Sequence, residues 1–286
     1  MRRTGTSSLL VAAYLPMPLL VRMVDAARAV GAELRSATSW DELSCMVRET
    51  PVNLMIVDPY IGHSLNVLSV NRLLKTHRST PMVAYTEFSP ATARILTSLS
   101  RKGLGEAVLF RYDDTPIRLQ RLITRSGVVR AVADLRARLQ VEYDRLPVDV
   151  ASALDDLFHR PHAYSTAGDL RLQSGRPKAS LHRIIASAGL APPRHLFIGA
   201  RVLHAYLYLR DNDVTVADVA KKVGYRNTFV MTQHIASAFN LKPNALRQLR
   251  DENEVLDRLV TWLRMPAEEE AGIADGSPDG DDTSDE

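Results

Sequence analysis

The sequence predicts an α/β domain followed by an all-α domain in one chain. Two patterns carry that prediction. Between residues 8 and 111, five short runs rich in Val, Ile or Leu alternate with amphipathic stretches, as in a mostly parallel, buried sheet with helical connections. From Pro147 to Arg250 the pattern holds helices only, punctuated by Gly and Pro. A length of 286 residues suits roughly two domains and allows cores without covalent staples.

In chain order, the strands are read at Leu9–Leu15, Ala32–Ala37, Val52–Asp58, Pro81–Thr86 and Ala107–Arg111. Helices are read near 17–30, 39–49, 64–77 and 89–103, with another starting at Thr115. Ser39-Trp40-Asp41-Glu42 has capping-box spacing, and Ser89-Pro90 puts Pro at the first helical position. Five such βα units describe a small doubly wound domain. Residues 112–146 read as one helix leaving it. In that stretch Val128, Val132, Leu135, Leu139 and Leu146 are spaced like a heptad seam, which Glu142 interrupts. The seam suits packing against the domain body and a dimeric coiled coil alike. Seven further helices are read at about 148–160, 166–174, 178–188, 193–210, 216–223, 227–239 and 243–253. The divisions are therefore 1–111 for the α/β domain, 112–146 for a helical linker and 147–253 for the seven-helix domain. Residues 254–286 are read as a helix end and a disordered acidic tail.

Thirty-six Lys and Arg face 33 Asp and Glu, a net +3 that hides an asymmetry. Residues 267–286 hold nine acids and no Lys or Arg, so the remaining chain carries +12. Residues 147–251 alone carry 14 basic and 8 acidic side chains. A basic body points to a polyanionic partner. No apolar run approaches the ~20 residues of a membrane span, so no membrane partner is expected. A single cysteine, Cys45, excludes a disulfide framework and a zinc finger, which favours a cytoplasmic protein with no metal and no cofactor. Arg2 and Arg3 ahead of Leu9–Leu15 superficially resemble a secretion signal. Pro16 and Pro18 interrupt that run and no small-residue cleavage pattern follows, so no targeting segment is read. With no nucleophile–base pair, phosphate loop or metal constellation, an enzyme is not expected.

The informative stretch is Val214–Ile235. Thr215 can cap a helix whose apolar side is Val216, Val219, Ala220 and Val223, and Gly224 can end it with a positive φ. Asn227 or Thr228 can cap the next helix, which buries Met231, Ile235, Ala238 and Phe239. Thr228, Phe229, Thr232 and Gln233 are left facing outward. Two short helices joined through a glycine turn form a helix-turn-helix, whose second helix enters the major groove.

On these residues the region 150–250 resembles the AraC/XylS-type DNA-binding domain, two helix-turn-helix units held by a long connecting helix. Arg201-Val202-Leu203-His204-Ala205-Tyr206-Leu207-Tyr208-Leu209 is similar to its connecting helix, and Phe239–Arg247 to its ending. In the first unit Gly175 holds the turn and Pro177–Ile185 resembles the recognition helix. Arg171 stands where the family has a small inner residue, and Arg176-Pro177 replaces an aromatic and a Ser cap. By position, the resemblance implies that Ala179, His182 and Arg183 face bases in one major groove and Thr228, Phe229, Thr232 and Gln233 in the next. It also implies that Lys178, Lys221, Lys222 and Arg226 contact phosphates. Arg183 suits guanine O6/N7, Gln233 adenine N6/N7 and Phe229 a thymine methyl. A connecting helix over 193–210 spans about 27 Å, close to the ~34 Å between successive groove faces, which implies a bipartite, asymmetric site. His204 and His234 have no Cys or second His at ligand spacing and read as packing or surface residues.

The five βα units resemble the receiver domain of response regulators. Val52–Asp58 is similar to its third strand, ending at the phosphoacceptor position, and Thr86 closes the fourth. Phosphoryl transfer there needs Mg²⁺ held by acids after the first strand, where this chain has Ala13-Tyr14. Arg111 ends the fifth strand where the family has Lys followed by Pro. Asp58 therefore reads as a turn residue and only alternatively as a phosphoacceptor. Together the resemblances imply a bacterial, sequence-specific transcriptional regulator that binds double-stranded DNA. Its receiver-like domain would serve dimerisation, partner contact or ligand response. A second copy, through the N-terminal domain and linker, and RNA polymerase are the protein partners open to it. The alternatives are a phosphorylated response regulator using Asp58 and an interaction adaptor whose DNA-binding domain has decayed.

Overall fold

The fold is that of a computed structural model, which describes residues 9–64, 66–124, 127–212, 214–249 and 251–264. The acidic stretch 267–286 lies outside them. Strands β1 (Leu10–Tyr14), β2 (Glu33–Ser36), β3 (Leu54–Val57), β4 (Met82–Thr86) and β5 (Glu106–Leu109) form one sheet, all neighbours parallel, in the order β2-β1-β3-β4-β5. They alternate with α1 (Met17–Ala29), α2 (Trp40–Glu49), α3 (Val67–Thr76), α4 (Pro90–Ser100) and α5 (Pro116–Thr124). This is the flavodoxin-like doubly wound order, and the body is receiver-like in topology. Strand side chains alternate between faces as the pleat requires. Val11, Ala13, Leu54, Ile56, Val83 and Tyr85 meet Leu19 and Met23 of α1 and Leu119, Leu122 and Ile123 of α5. Leu10, Ala12, Met55, Val57, Met82 and Ala84 meet Leu43 and Val47 of α2, Val70 and Leu73 of α3 and Leu99 of α4.

Capping follows the sequence with one change. Ser39 Oγ accepts the Glu42 N–H at 3.1 Å, but the Glu42 carboxylate turns to the N–H and hydroxyl of Thr38 rather than back to Ser39. Ser89 and Thr92 cap each other at the start of α4.

The stretch 112–146 is not one helix. Asp114, buried, accepts the Arg111 N–H at 2.9 Å and the Tyr85 hydroxyl at 2.6 Å and pairs with Arg22, which holds residues 111–115 in a turn ahead of α5. Further on, α6 (Gly127–Arg138) and the short α7 (Gln140–Tyr143) are separated at Leu139. The heptad-like residues Val128, Val132, Leu135, Leu139 and Leu146 are buried in the chain's own helical core. Glu142, buried among them, receives Arg264 Nε at 2.7 Å.

That core continues through α8 (Val148–His159), α9 (Gly168–Ser174), α10 (Lys178–Ala188), α11 (Pro193–Leu209), α12 (Val216–Lys222), α13 (Thr228–Phe239), α14 (Pro243–Gln248) and α15 (Glu252–Leu263). The helix expected over 243–253 stops at Gln248, and Asp251 caps α15 by accepting the Asn253 N–H. α15 is a core element, burying Val255, Leu256, Leu259, Trp262 and Leu263. α11 is the axis, buried along nearly its whole length, so a 17-residue helix about 25 Å long spaces the units around it. Arg201 lies inside this packing: its guanidinium donates to the Tyr164 carbonyl at 2.8 Å between the rings of Phe197 and Tyr225. No helix among the described residues is long and apolar enough to cross a membrane.

Candidate nucleic-acid interface

Two helix pairs are built alike. α9 ends at Gly175 and α12 is followed by Gly224, with φ of 67° and 87°, a backbone that favours glycine because it has no Cβ. The Thr215–Asp218 capping box fixes the start of α12, and Asn227 Oδ1 accepts the Phe229 N–H to start α13. α13 buries Met231, Ile235, Ala238 and Phe239, and α10 buries Leu181, Ile185 and Ala188.

The opposite faces carry the residues singled out in the sequence. Lys178, Ala179, His182 and Arg183 are exposed on α10. On the second pair Arg226 and Gln233 are exposed, and Phe229 is 64% exposed, unusual for a large apolar side chain. Thr228 and Thr232 are half-buried, and the Thr232 hydroxyl is taken by the Thr228 carbonyl within the helix at 3.0 Å. Neither α10 nor α13 contains an acidic residue. Lys178, Arg183 and Arg226 form no ion pair with another described residue, whereas Arg176 is held by Asp149 at 2.5 Å. Such outward cations and helix N-termini suit phosphate contact.

Two placements differ from expectation. Arg171 is exposed, and the small inner residue of α9 is the buried Ser174, beside Leu170. Lys222 is not at the surface: it is 4% exposed, and its ammonium donates to the Val47 carbonyl in the last turn of α2 at 2.9 Å. It lies 4.0 Å from the centre of the Tyr208 ring, and burial draws its pKa down to about 8. Lys221 is exposed. Nearby, Asp211 (2% exposed) accepts both the N–H and the hydroxyl of Ser79 at 2.6 Å, and Asn212 Nδ2 donates to the Lys75 carbonyl at 2.7 Å. His77, buried in the same region, is held uncharged by burial and by Lys222 and Arg48, with its pKa lowered to about 4. These contacts join the sheet body to the helical core, and no single-residue signal announced them. Lys222 lies three residues after Val219, at the edge of the apolar stripe of α12, which is the only trace of its burial in the sequence.

His204 is buried, with Nε2 against the Phe158 carbonyl at 2.8 Å, and His234 Nδ1 meets the Tyr225 hydroxyl at 3.0 Å. Both are packing partners.

At the carboxyl ends of the strands, Asp58 is buried and accepts the Tyr60 N–H at 2.9 Å, a side-chain turn of the Asx kind. Burial raises the Asp58 carboxyl above the ordinary carboxylate range, against the opposing pull of the Thr86 side chain and the Tyr60 N–H. The Mg²⁺ of receiver domains does not fit here. β1 ends in Ala13-Tyr14, with Tyr14 edge-on to Trp40 at 5.0 Å and Leu15-Pro16 following, and none of these offers a carboxylate. Among the described residues no group of three or more His, Cys, Asp or Glu could hold a metal ion. Arg111, at φ 65°, leans over the Phe110 ring.

No protein-family model matches the chain, and no curated protein matches it. Among solved structures it is similar to NtrX from Brucella abortus in complex with ADP, at 17% identity and a TM-score of 0.36, over 63% of this chain and 40% of that one. A second structure of NtrX from Brucella abortus matches at 15% identity and a TM-score of 0.37, over the same shares. The chain thus spans well under half the length of these neighbours. At these values the likeness assigns no function, and the receiver-like description rests on strand order and helix placement.

Proposed function

We propose that the chain is a sequence-specific DNA-binding transcriptional regulator of the AraC type, with its receiver-like body acting as a non-phosphorylated positioning or partner-binding domain. In this reading the two helix pairs are helix-turn-helix units, and α10 and α13 are the recognition helices of a binding protein rather than an enzyme. The observation that carries it is the pair of acid-free outward faces, each following a left-handed glycine turn and each holding the side chains expected by position. Arg183 grips guanine, Gln233 reads adenine and Phe229 packs on a thymine methyl. Lys178, Lys221 and Arg226 hold phosphates. Lys222 is withdrawn from that set by its burial. The Asp58 alternative is disfavoured by the residues present, since Tyr14 replaces the acids that a Mg²⁺ would need.

The test is titration of the full chain with a duplex carrying its selected site. Arg183→Ala and Gln233→Ala each weaken binding by about 1–3 kcal/mol and relax preference at one base pair only. Equal binding by both variants and the wild type would refute the assignment.

A further inference from the structure

α12 is held from two sides. Val219, Ala220 and Val223 pack into the helical core, while Lys222, beside Tyr208 of that core, reaches with its ammonium to Val47 of the sheet body. The Lys222 ammonium is an apt partner for a carbonyl in the last turn of α2, where helix carbonyls have no partner of their own and the dipole is negative. Eleven residues earlier, in the connection from α11 to α12, Asp211 takes both donors of Ser79 in the turn between α3 and β4, so the connection and the end of α12 are each fixed to a point on the sheet body. The junction holds further buried polar groups. Ser44 Oγ lies 3.4 Å from His77 Nε2, and His77 Nδ1 and the Tyr208 hydroxyl are buried with no hydrogen-bond partner among the described residues. A junction of buried polar groups, some unsatisfied, gains little free energy from contact area and depends on its directed bonds. Only five residues, 223–227, separate α12 from α13.

We propose that Lys222 and Asp211 form a two-point pin through which the sheet body positions α13, making Lys222 a positioning residue for the second recognition helix but not the first. As far as DNA is concerned, this rests on the function proposed above. α10 follows α9 on another part of the helical core and makes none of these bonds, so the sheet body governs the two helices unequally. The outward faces of both helices stay exposed while the pin is closed, so docking of the sheet body leaves the reading faces free.

The test uses the full chain and Lys222→Met, which keeps the stem over Tyr208 and deletes only the ammonium, with Ser79→Ala as a variant made wholly on the sheet side. Amide hydrogen exchange comes first. In Lys222→Met the Ser79 amide and the first turn of α13 exchange at least about tenfold faster, α10 stays within about twofold, and Ser79→Ala shifts the same amides less. Lys222→Arg, which can still reach the Val47 carbonyl, restores most of the protection; a residue that merely filled space would be served as well by Met. Unchanged exchange at Ser79 and α13 in Lys222→Met overturns the pin. Selected duplexes come second. In the wild type, scrambling the block read by α13 lowers affinity by about tenfold or more, and in Lys222→Met the same change costs under about threefold, while the block read by α10 counts equally in both. Equal loss at the α13 block in both proteins overturns the positioning role. If the wild type discriminates no duplex while exchange behaves as stated, the DNA reading falls and the pin stands.

Discussion

Arg201 offers a demanding test of how the helical body is held together. It is a charged side chain on the central helix, yet it is nearly fully buried, donating to the Tyr164 carbonyl and lying 4.2 Å and 5.0 Å from the centres of the Phe197 and Tyr225 rings. It thereby ties the segment before α9 to the turn after α12. Replacing it with Met keeps the stem and volume. The loss is one charge-assisted hydrogen bond, about 1.5–3 kcal/mol, with a carbonyl left bare, and two desolvated ring contacts of up to ~2 kcal/mol each. Against this stands the several kcal/mol that burial of a guanidinium costs, visible in the lowered pKa of Arg201. The balance is a destabilisation of about 2 kcal/mol. Read as Trp262 fluorescence in a Trp40→Phe background, which isolates the helical body, the urea midpoint falls by about 1 M. Arg201→Lys recovers little, because an ammonium cannot stack between two rings as a planar guanidinium does. An unchanged midpoint in Arg201→Met, or full recovery in Arg201→Lys, would refute the bridging role.

Three further outcomes follow. A Cβ at Gly199 would lie 2.6 Å from Leu263 Cδ2, so Gly199→Ala costs about 1–3 kcal/mol by overpacking α11 against α15, and in the double variant with Leu263→Ala the two losses sum to less than their separate values in the same urea assay. His204 is buried neutral with its pKa lowered to about 3, so the unfolded chain takes up its proton near pH 6.5 while the folded chain does not. Its share of stability is complete above pH 6.5 and is lost as pH falls toward 3; between pH 8 and pH 5 the loss is about 2 kcal/mol, and His204→Gln flattens that part of the pH profile. Lys178→Ala, removing a phosphate contact, weakens all duplexes alike and reduces the slope of log affinity against log salt by about one.

The doubly wound sheet was legible because β1, β3 and β4 are short buried apolar runs between amphipathic helices, whereas the edge strand β2, Glu33-Leu34-Arg35-Ser36, is mostly polar and exposed and is marked only by its place between α1 and α2. The second helix pair was equally open to reading, since Thr215, Gly224 and Asn227 each have one local duty and perform it. The helix expected over 112–146 failed for a non-local reason: Asp114 bonds to Tyr85 and Arg22, residues 29 and 92 positions away, and their bonds outweigh helical propensity. Arg171 lies on the outer face because Leu170 and Ser174 share the buried one, which the helical wheel carries and family position does not. The burial of Lys222 is non-local in the same way as the turn at Asp114. A lysine at the edge of an apolar stripe points to solvent unless another body covers it, and the residue that receives this one, Val47, is written 175 positions away. Local chemistry sets the elements, and contacts between bodies decide which polar residues are taken out of the site.

The most direct measurement is selection of bound fragments from a genomic DNA library by the purified full chain near physiological salt. Enrichment of two short sequence blocks about one helical turn apart, with preference relaxed at one base pair of one block in Arg183→Ala and at one base pair of the other in Gln233→Ala, is the expected result. Fragments with no shared motif, or no retained DNA, would contradict sequence-specific recognition by α10 and α13.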